Sequence, residues 1–278
     1  MSAAWTDTLA AAEAGAISAP IALTRLLLSG DPPDPVRLAA LAEERPALAA
    51  LAALADTHED ALPRLAAAFA GGAMPAGSED AAALFDRLAG QAPEAAVALY
   101  SFGDPALLAE ATEELVAVIR AWSPPATRDL LDFGCGIGRV SIALAGEARS
   151  IVALDVSAAM VAEARRRTAG LANVTVVQGS GRDFADLPDA SIDLILAVDN
   201  WPYLVQAGLV EAHLAEAHRG LRPGGDLLVF NWSYRGDPAL DVADAARLAE
   251  AHGFALLRAG ERPFRLWDGA GFHLRRGA

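Results

Sequence analysis

Three glycines spaced G-x-G-x-G, Gly134, Gly136 and Gly138, follow an apolar run that ends in Asp132-Phe133, and a second carboxylate, Asp155, comes nineteen residues after Gly136. Glycines in such a loop let the backbone bend sharply and let a ligand approach closely, and a helix opening just after them turns its first N–H groups toward that ligand. A carboxylate about 20 residues beyond a glycine loop is placed to accept ribose hydroxyls. It would also serve as a helix cap for the stretch from Ser157 to Met160. Loop and acid together point to a nucleoside-type ligand. The dinucleotide pattern G-x-G-x-x-G is not met, because Arg139 occupies the position of its third glycine.

The rest of the composition removes whole chemistries. All 22 basic side chains are arginine and there is no lysine. A pyridoxal phosphate aldimine, a P-loop and a Tyr-x-x-x-Lys proton donor are therefore excluded, and a nicotinamide oxidoreductase is disfavoured. The single cysteine, Cys135, cannot form an intramolecular disulfide or a cysteine metal cluster, and inside the glycine loop it reads as a small apolar packer. The five histidines show no metal-ligand spacing, so no metal is expected. A formal net charge of −14 repels phosphate backbones and argues against nucleic acid as a partner. Arg165-Arg166-Arg167 ends a predicted helix, where cations complement the helix terminus. The longest Ala/Leu run, 47–55, is far short of the ~20 residues a membrane span needs, and no basic-then-apolar leader opens the chain. The expectation is a cytoplasmic protein.

These residues must be positioned by alternating strands and helices. Apolar runs predict strands over 130–133, 150–154, 174–178, 192–198, 226–231, 254–258 and 271–275. Between them, 139–145, 158–168, 206–220 and 241–252 carry helical periodicity. The reading is an α/β, doubly wound, mostly parallel seven-stranded sheet over 126–278. Residues 1–75 form an α-helical extension, with Leu38, Leu41, Leu48, Leu51, Leu54, Leu62 and Leu65 on one apolar face. Its role is packing, homodimerisation or a cap over a substrate. Residues 76–125 read as a helical linker or lid.

Asp132 with Gly134, Gly136 and Gly138 resembles motif I of the class I S-adenosylmethionine (AdoMet) dependent methyltransferases, and the strand count agrees with that family's Rossmann-like sheet. The resemblance covers roughly 126–278 and implies AdoMet as cofactor and S-adenosylhomocysteine (AdoHcy) as product. It implies ribose binding by Asp155, with Val156 and Met160 against the adenine. Where the family usually has Gly-Asp after its third strand, this chain has Gly179-Ser180-Gly181-Arg182-Asp183, so the adenine contact falls to Ser180, to Asp183, or to the main chain of Gly181 and Arg182. Tyr100, in an aromatic stretch ahead of the first strand, is a further candidate cofactor contact, or a staple onto the core. Asp199-Asn200-Trp201-Pro202-Tyr203 follows the fourth strand, where the cofactor's methionine end and the acceptor belong. Asn200-Trp201-Pro202-Tyr203 partly resembles the N-P-P-Y element of amino methyltransferases. Asn200, Trp201, Tyr203, Asn231, Trp232 and Tyr234 are the candidate substrate contacts, Asp199 a candidate cofactor contact. Should the acceptor need deprotonation, Tyr203, Asp199 and His273 are the candidate catalytic groups. The implied activity is methyl transfer to an O or N atom of a small molecule. The alternatives are an amino methyltransferase acting on a protein or nucleobase through that loop, and a non-catalytic AdoMet-binding module.

Overall fold

The computed structural model of the chain describes residues 2–69, 77–184 and 187–277. Gly71-Gly72 and Pro75-Ala76, which the sequence marks as helix punctuation and linker, lie outside the described residues. The chain forms two compact units: Met1–Ala73 with Gly90–Ala111 and Phe264–Asp268, and Met74–Ala89 with Thr112–Pro263 and Gly269–Ala278.

The first unit is helical. It contains α1 (Ala3–Glu13), α2 (Ala19–Leu28), α3 (Pro35–Glu44), α4 (Ala49–Thr57) and α5 (Leu62–Phe69). Ser2, Ser18 and Asp34 start the first three by accepting the backbone N–H of Trp5, Ile21 and Val36, which satisfies donors no helical carbonyl can reach. Trp5, Leu9, Leu23, Leu26, Leu38, Leu48 and Leu51 meet in one apolar core, the face that the leucine spacing predicted. The late segment 264–268 joins this unit through specific contacts. Ser18 Oγ donates to Leu266 O (2.8 Å), Arg25 pairs with Asp268 (2.9 Å), and Trp267 stacks on Tyr100. Sequence position gave no hint of that grouping.

The second unit begins with α6 (Ser78–Ala89); α7 (Pro93–Val97) belongs to the helical unit, and the division between units falls within α8 (Pro105–Trp122). There follow β1 (Asp129–Phe133), α9 (Arg139–Leu144), β2 (Ser150–Asp155), α10 (Ala158–Thr168), β3 (Val174–Gln178), β4 (Ile192–Val198), α11 (Trp201–Ala207), α12 (Val210–Gly220), β5 (Leu221–Phe230), α13 (Pro238–Ala251), β6 (Phe254–Glu261) and β7 (Gly271–Arg276). The strands form one sheet in the order β3-β2-β1-β4-β5-β7-β6. β1 to β5 pair in parallel, β6 runs in the same direction, and β7 lies antiparallel between β5 and β6. Strands buried on both faces need continuous apolar runs, and β4 reads Ile-Asp-Leu-Ile-Leu-Ala-Val for that reason. One face packs Leu131, Phe133, Ile195 and Leu227 against Leu214 and Ala217 of α12 and Leu248 of α13; Ala153 meets Ala164 of α10 in a separate cluster.

Two element boundaries differ from expectation. The predicted helix 206–220 is two helices, broken where Gly208 adopts φ +68°. β5 starts at Leu221, so the Arg222-Pro223-Gly224-Gly225 turn lies inside the strand as an irregularity opposite Ile192–Leu194. The sheet order reverses between β1 and β4, which opens a crevice at the carboxyl ends of these strands.

Candidate cofactor and acceptor site

Asp132, Gly134, Gly136, Gly138 and Asp155 converge at that crevice. All three glycines take positive φ, at +71°, +53° and +79°, a region that disfavours any residue with a Cβ. The loop's own N–H groups are largely spent within the protein. Gly134 and Cys135 donate to Leu154 O (2.7 and 3.0 Å), Gly138 donates to Cys135 O (2.9 Å), and Gly136 donates to Asp155 Oδ2 (2.8 Å). Such a loop is no nest for a pyrophosphate. That agrees with the missing dinucleotide spacing and favours a nucleoside ligand without phosphates.

Asp155 is buried and held by neutral donors alone, the N–H groups of Gly136 and, at 2.9 Å, Ser157. Burial pushes its carboxyl up, against the pull of those hydrogen bonds. Asp132 lies behind the loop, where one oxygen accepts both Ser141 N–H (3.1 Å) and Ser141 Oγ–H (2.6 Å). It ties β1 to α9, and full burial raises its carboxyl to about 6. Cys135 is the apolar packer expected, buried beside Ala153 and Ala164, with its thiol pushed up by burial.

Around Asp155 the adenine candidates gather. Val156 Cγ2 lies 3.3 Å from where a Cβ on Gly181 would stand, and Gly181 holds φ +72°. Ser180 Oγ donates to Asp183 (3.0 Å) and accepts the Arg182 N–H (3.0 Å), so the two residues between which the sequence left a choice form one turn. Met160 is buried beneath the first turn of α10, its N–H held by Ser157 Oγ.

Helix α6 crosses the same edge, and no sequence signal had assigned its residues a role. Asp86 accepts Ser157 Oγ–H (2.6 Å) and Ala159 N–H (2.9 Å) at the start of α10; Phe85 packs edge-on against Tyr203 at 5.6 Å; Ser78 blocks any side chain at Gly181. A cap supplied from 71 residues away leaves no local pattern to read.

The β4 loop supplies the other half of the site. Asn200 Nδ2 donates to Phe133 O (2.7 Å) and lies 2.4 Å from where a Cβ on Gly134 would stand. The close approach that requires this glycine therefore comes from Asn200 rather than from a ligand. Asn200 Oδ1 is buried with no partner among the described residues, an acceptor without a donor. Asp199 and Asn231, at the ends of adjacent strands β4 and β5, both hold positive φ (58° and 72°), strain of a kind stored at functional sites. Asn231 Nδ2 and Tyr234 Oη donate to Asp199 Oδ1 at 2.7 and 2.9 Å. Tyr203 lies edge-on to Tyr234 at 5.9 Å, and burial, then the Asp199 charge, push its phenol well above the ordinary tyrosine range.

Four candidates are placed elsewhere. Trp201 and Trp232 are 0% and 1% exposed and pack on each other, Trp232 also on Phe272, so these two candidate substrate contacts are core. His273 projects to Asp226 (2.8 Å) four residues back from the end of β5, in a buried cluster with Arg275, Arg128 and Ser123, and is withdrawn as a catalytic candidate. Tyr100 belongs to the helical unit, its ring engaged with Trp267.

Residues 130–225 match the methyltransferase-domain family model. The chain is 35% identical over 120 residues to demethylmenaquinone methyltransferase of Clavibacter sepedonicus, covering 42% of this chain and 46% of that protein. It is 36% identical over 133 residues to trans-aconitate 2-methyltransferase of Acidovorax ebreus, covering 45% and 48%. It spans about half the length of these curated relatives. The fold is similar to that of a Haemonchus contortus phosphoethanolamine N-methyltransferase, with a TM-score of 0.54 at 16% identity, over 72% of this chain and 49% of that one. Residues 130–225 thus carry a methyltransferase domain of the class I AdoMet-dependent kind, whose cofactor is AdoMet. The residues fit that cofactor: a buried carboxylate for two ribose hydroxyls, an unpartnered amide oxygen suited to an ammonium, and a glycine loop with no demand for phosphate.

Proposed function

We propose that this chain is an enzyme that binds AdoMet at the β1–β2–β4 edge and moves its methyl group to a nitrogen or oxygen of a small molecule. One observation carries the reading. Asp155 is buried with only neutral backbone donors, so its negative charge and remaining lone pairs are held for a ligand bearing hydroxyls. When bound, AdoMet supplies an electrophilic methyl on a sulfonium. Asp155 accepts the ribose hydroxyls, Val156 and the Ser180–Arg182 turn flank the adenine, and Asn200 Oδ1 accepts from the amino-acid ammonium. Tyr203 and Asp199 face the acceptor, and holding it in near-attack geometry accounts for much of the rate.

A protein or nucleobase amino-methyltransferase reading would need Asn200 to grip the target nitrogen. A net charge of −14 opposes nucleic acid, and Asn200 Oδ1, the acceptor such a grip needs, is assigned here to the ammonium of AdoMet. No helix among the described residues is long and apolar enough to cross a membrane.

The test is isothermal titration with AdoMet, AdoHcy and NADH, repeated on Asp155→Ala. Micromolar binding of the first two is expected, weakened about a hundredfold in the variant, as two hydrogen bonds to a charged group imply. Binding of NADH alone, or of nothing, would withdraw the reading.

A further inference from the structure

At the β4–β5 edge, Asp199 is bracketed by two phenol rings. Tyr234 donates to the carboxylate (2.9 Å), Tyr203 stands at 79° to Tyr234, and Phe85 at 87° to Tyr203, so three aromatic rings succeed one another at near right angles. Such rings present π-electron faces that attract cations. Of these groups and Asn231, only Asp199 carries a formal charge, and it is negative. Arg235, the cation next in sequence, has its guanidinium committed to Asp241 and Asp244 at 2.6 and 2.7 Å. Tyr234 keeps 48% of its surface exposed, so the rim is reachable from solvent. The backbone is strained at both Asp199 and Asn231, whose side chains meet at 2.7 Å.

We propose that the methyl acceptor is a cationic amine, seated against Tyr203 and Tyr234 with an ammonium N–H directed to Asp199. This rests on the methyltransferase reading and narrows it from oxygen or nitrogen to an aliphatic amine. The chemistry balances. The protonated amine gives one proton to the Asp199 carboxylate, which becomes the neutral acid. The freed nitrogen lone pair forms the N–C bond as the methyl C–S bond breaks, its electron pair remaining on sulfur. The methylated ammonium leaves, and Asp199 returns its proton to water. Tyr203 keeps its proton, its phenol pushed up by burial and by the Asp199 charge, and Tyr234 donates its own to that carboxylate, so Asp199 is the group that accepts.

The probe is choline, which presents the cation and cannot be methylated further, against its uncharged isostere 3,3-dimethylbutan-1-ol and against citrate, each titrated into protein saturated with AdoHcy. Choline is expected to bind at least about tenfold more tightly than the isostere, with citrate weaker still. Tyr234→Leu should cost choline about tenfold while AdoHcy affinity holds, which also reports that the variant folds, and Asp199→Asn should cost choline at least as much. Equal binding of choline and its isostere, or preference for citrate, overturns the proposal. So does absence of choline binding with selective loss of AdoMet over AdoHcy in Tyr234→Leu, which assigns the rings to the sulfonium. Failure of AdoHcy itself to bind withdraws the methyltransferase reading, and the amine proposal with it.

Discussion

The two ends of the parallel strands use the same residue for opposite purposes. At the amino ends, Asp129 and Asp193 share Arg149 and Arg222 in a four-membered ring of charges, and Asp226 is wrapped by His273, Arg275, Arg128 and Ser123. At the carboxyl ends, Asp132, Asp155 and Asp199 receive backbone N–H groups, a serine, an asparagine and a tyrosine. Hydrogen bonds from Arg149 hold the Asp129 carboxyl well below the ordinary range. Burial alone would raise Asp226, and its four partners together overcome that and hold it low too. Asp132 and Asp155, lacking a paired cation, are pushed up by burial. An acid neutralised by arginine is finished structure. Asp155, left with neutral backbone donors, keeps its field for a ligand.

That contrast is open to direct attack. Asp226→Asn strands three basic side chains around a neutral group and should cost about 3 kcal/mol in denaturant unfolding, the low end for a broken buried pair because Arg128 and Arg275 are partly exposed. AdoHcy affinity should be unchanged. An unfolded or non-binding Asp226→Asn would show that the amino-end cluster also shapes the site.

Opposite pH slopes are the next consequence. Asp132, at about 6 when folded, holds its proton more tightly in the native state than in the unfolded chain, so its contribution falls as pH rises from about 4 to about 6. Asp129 and Asp226, held low, contribute fully above about 4 and lose that contribution as pH falls below it. Asp132→Asn should therefore flatten the decline, by roughly 2–3 kcal/mol across the window, in unfolding curves taken at pH 4 to 7. A slope unchanged in the variant would mean that Asp132 is solvated. The smallest effect is expected at α6: Asp86→Ala removes the cap that α6 gives to α10 and should speed amide hydrogen exchange in α6 several-fold, with little change in global stability.

Much of this was legible in one dimension. G-x-G-x-G after an apolar run, and an acid nineteen residues on, set the cofactor end of the site, because strand, turn and ribose acid lie within one βαβ unit and short-range spacing encodes them. Continuous apolar runs identified all seven strands for the same local reason. What stayed hidden was long-range. Whether Trp201 lines a rim or fills a core depends on Trp232 and Phe272; that His273 serves Asp226 depends on the register of an antiparallel pair, Leu228 opposite His273. The grip of Asp86 on α10 and the pressure of Asn200 on Gly134 join segments about 70 residues apart. Sequence by itself determined which residues are able to bind a nucleoside and which elements carry them. Only the tertiary structure decided which acids are neutralised and which are left for ligands, since that depends on whether an arginine from a distant strand or helix arrives beside each one.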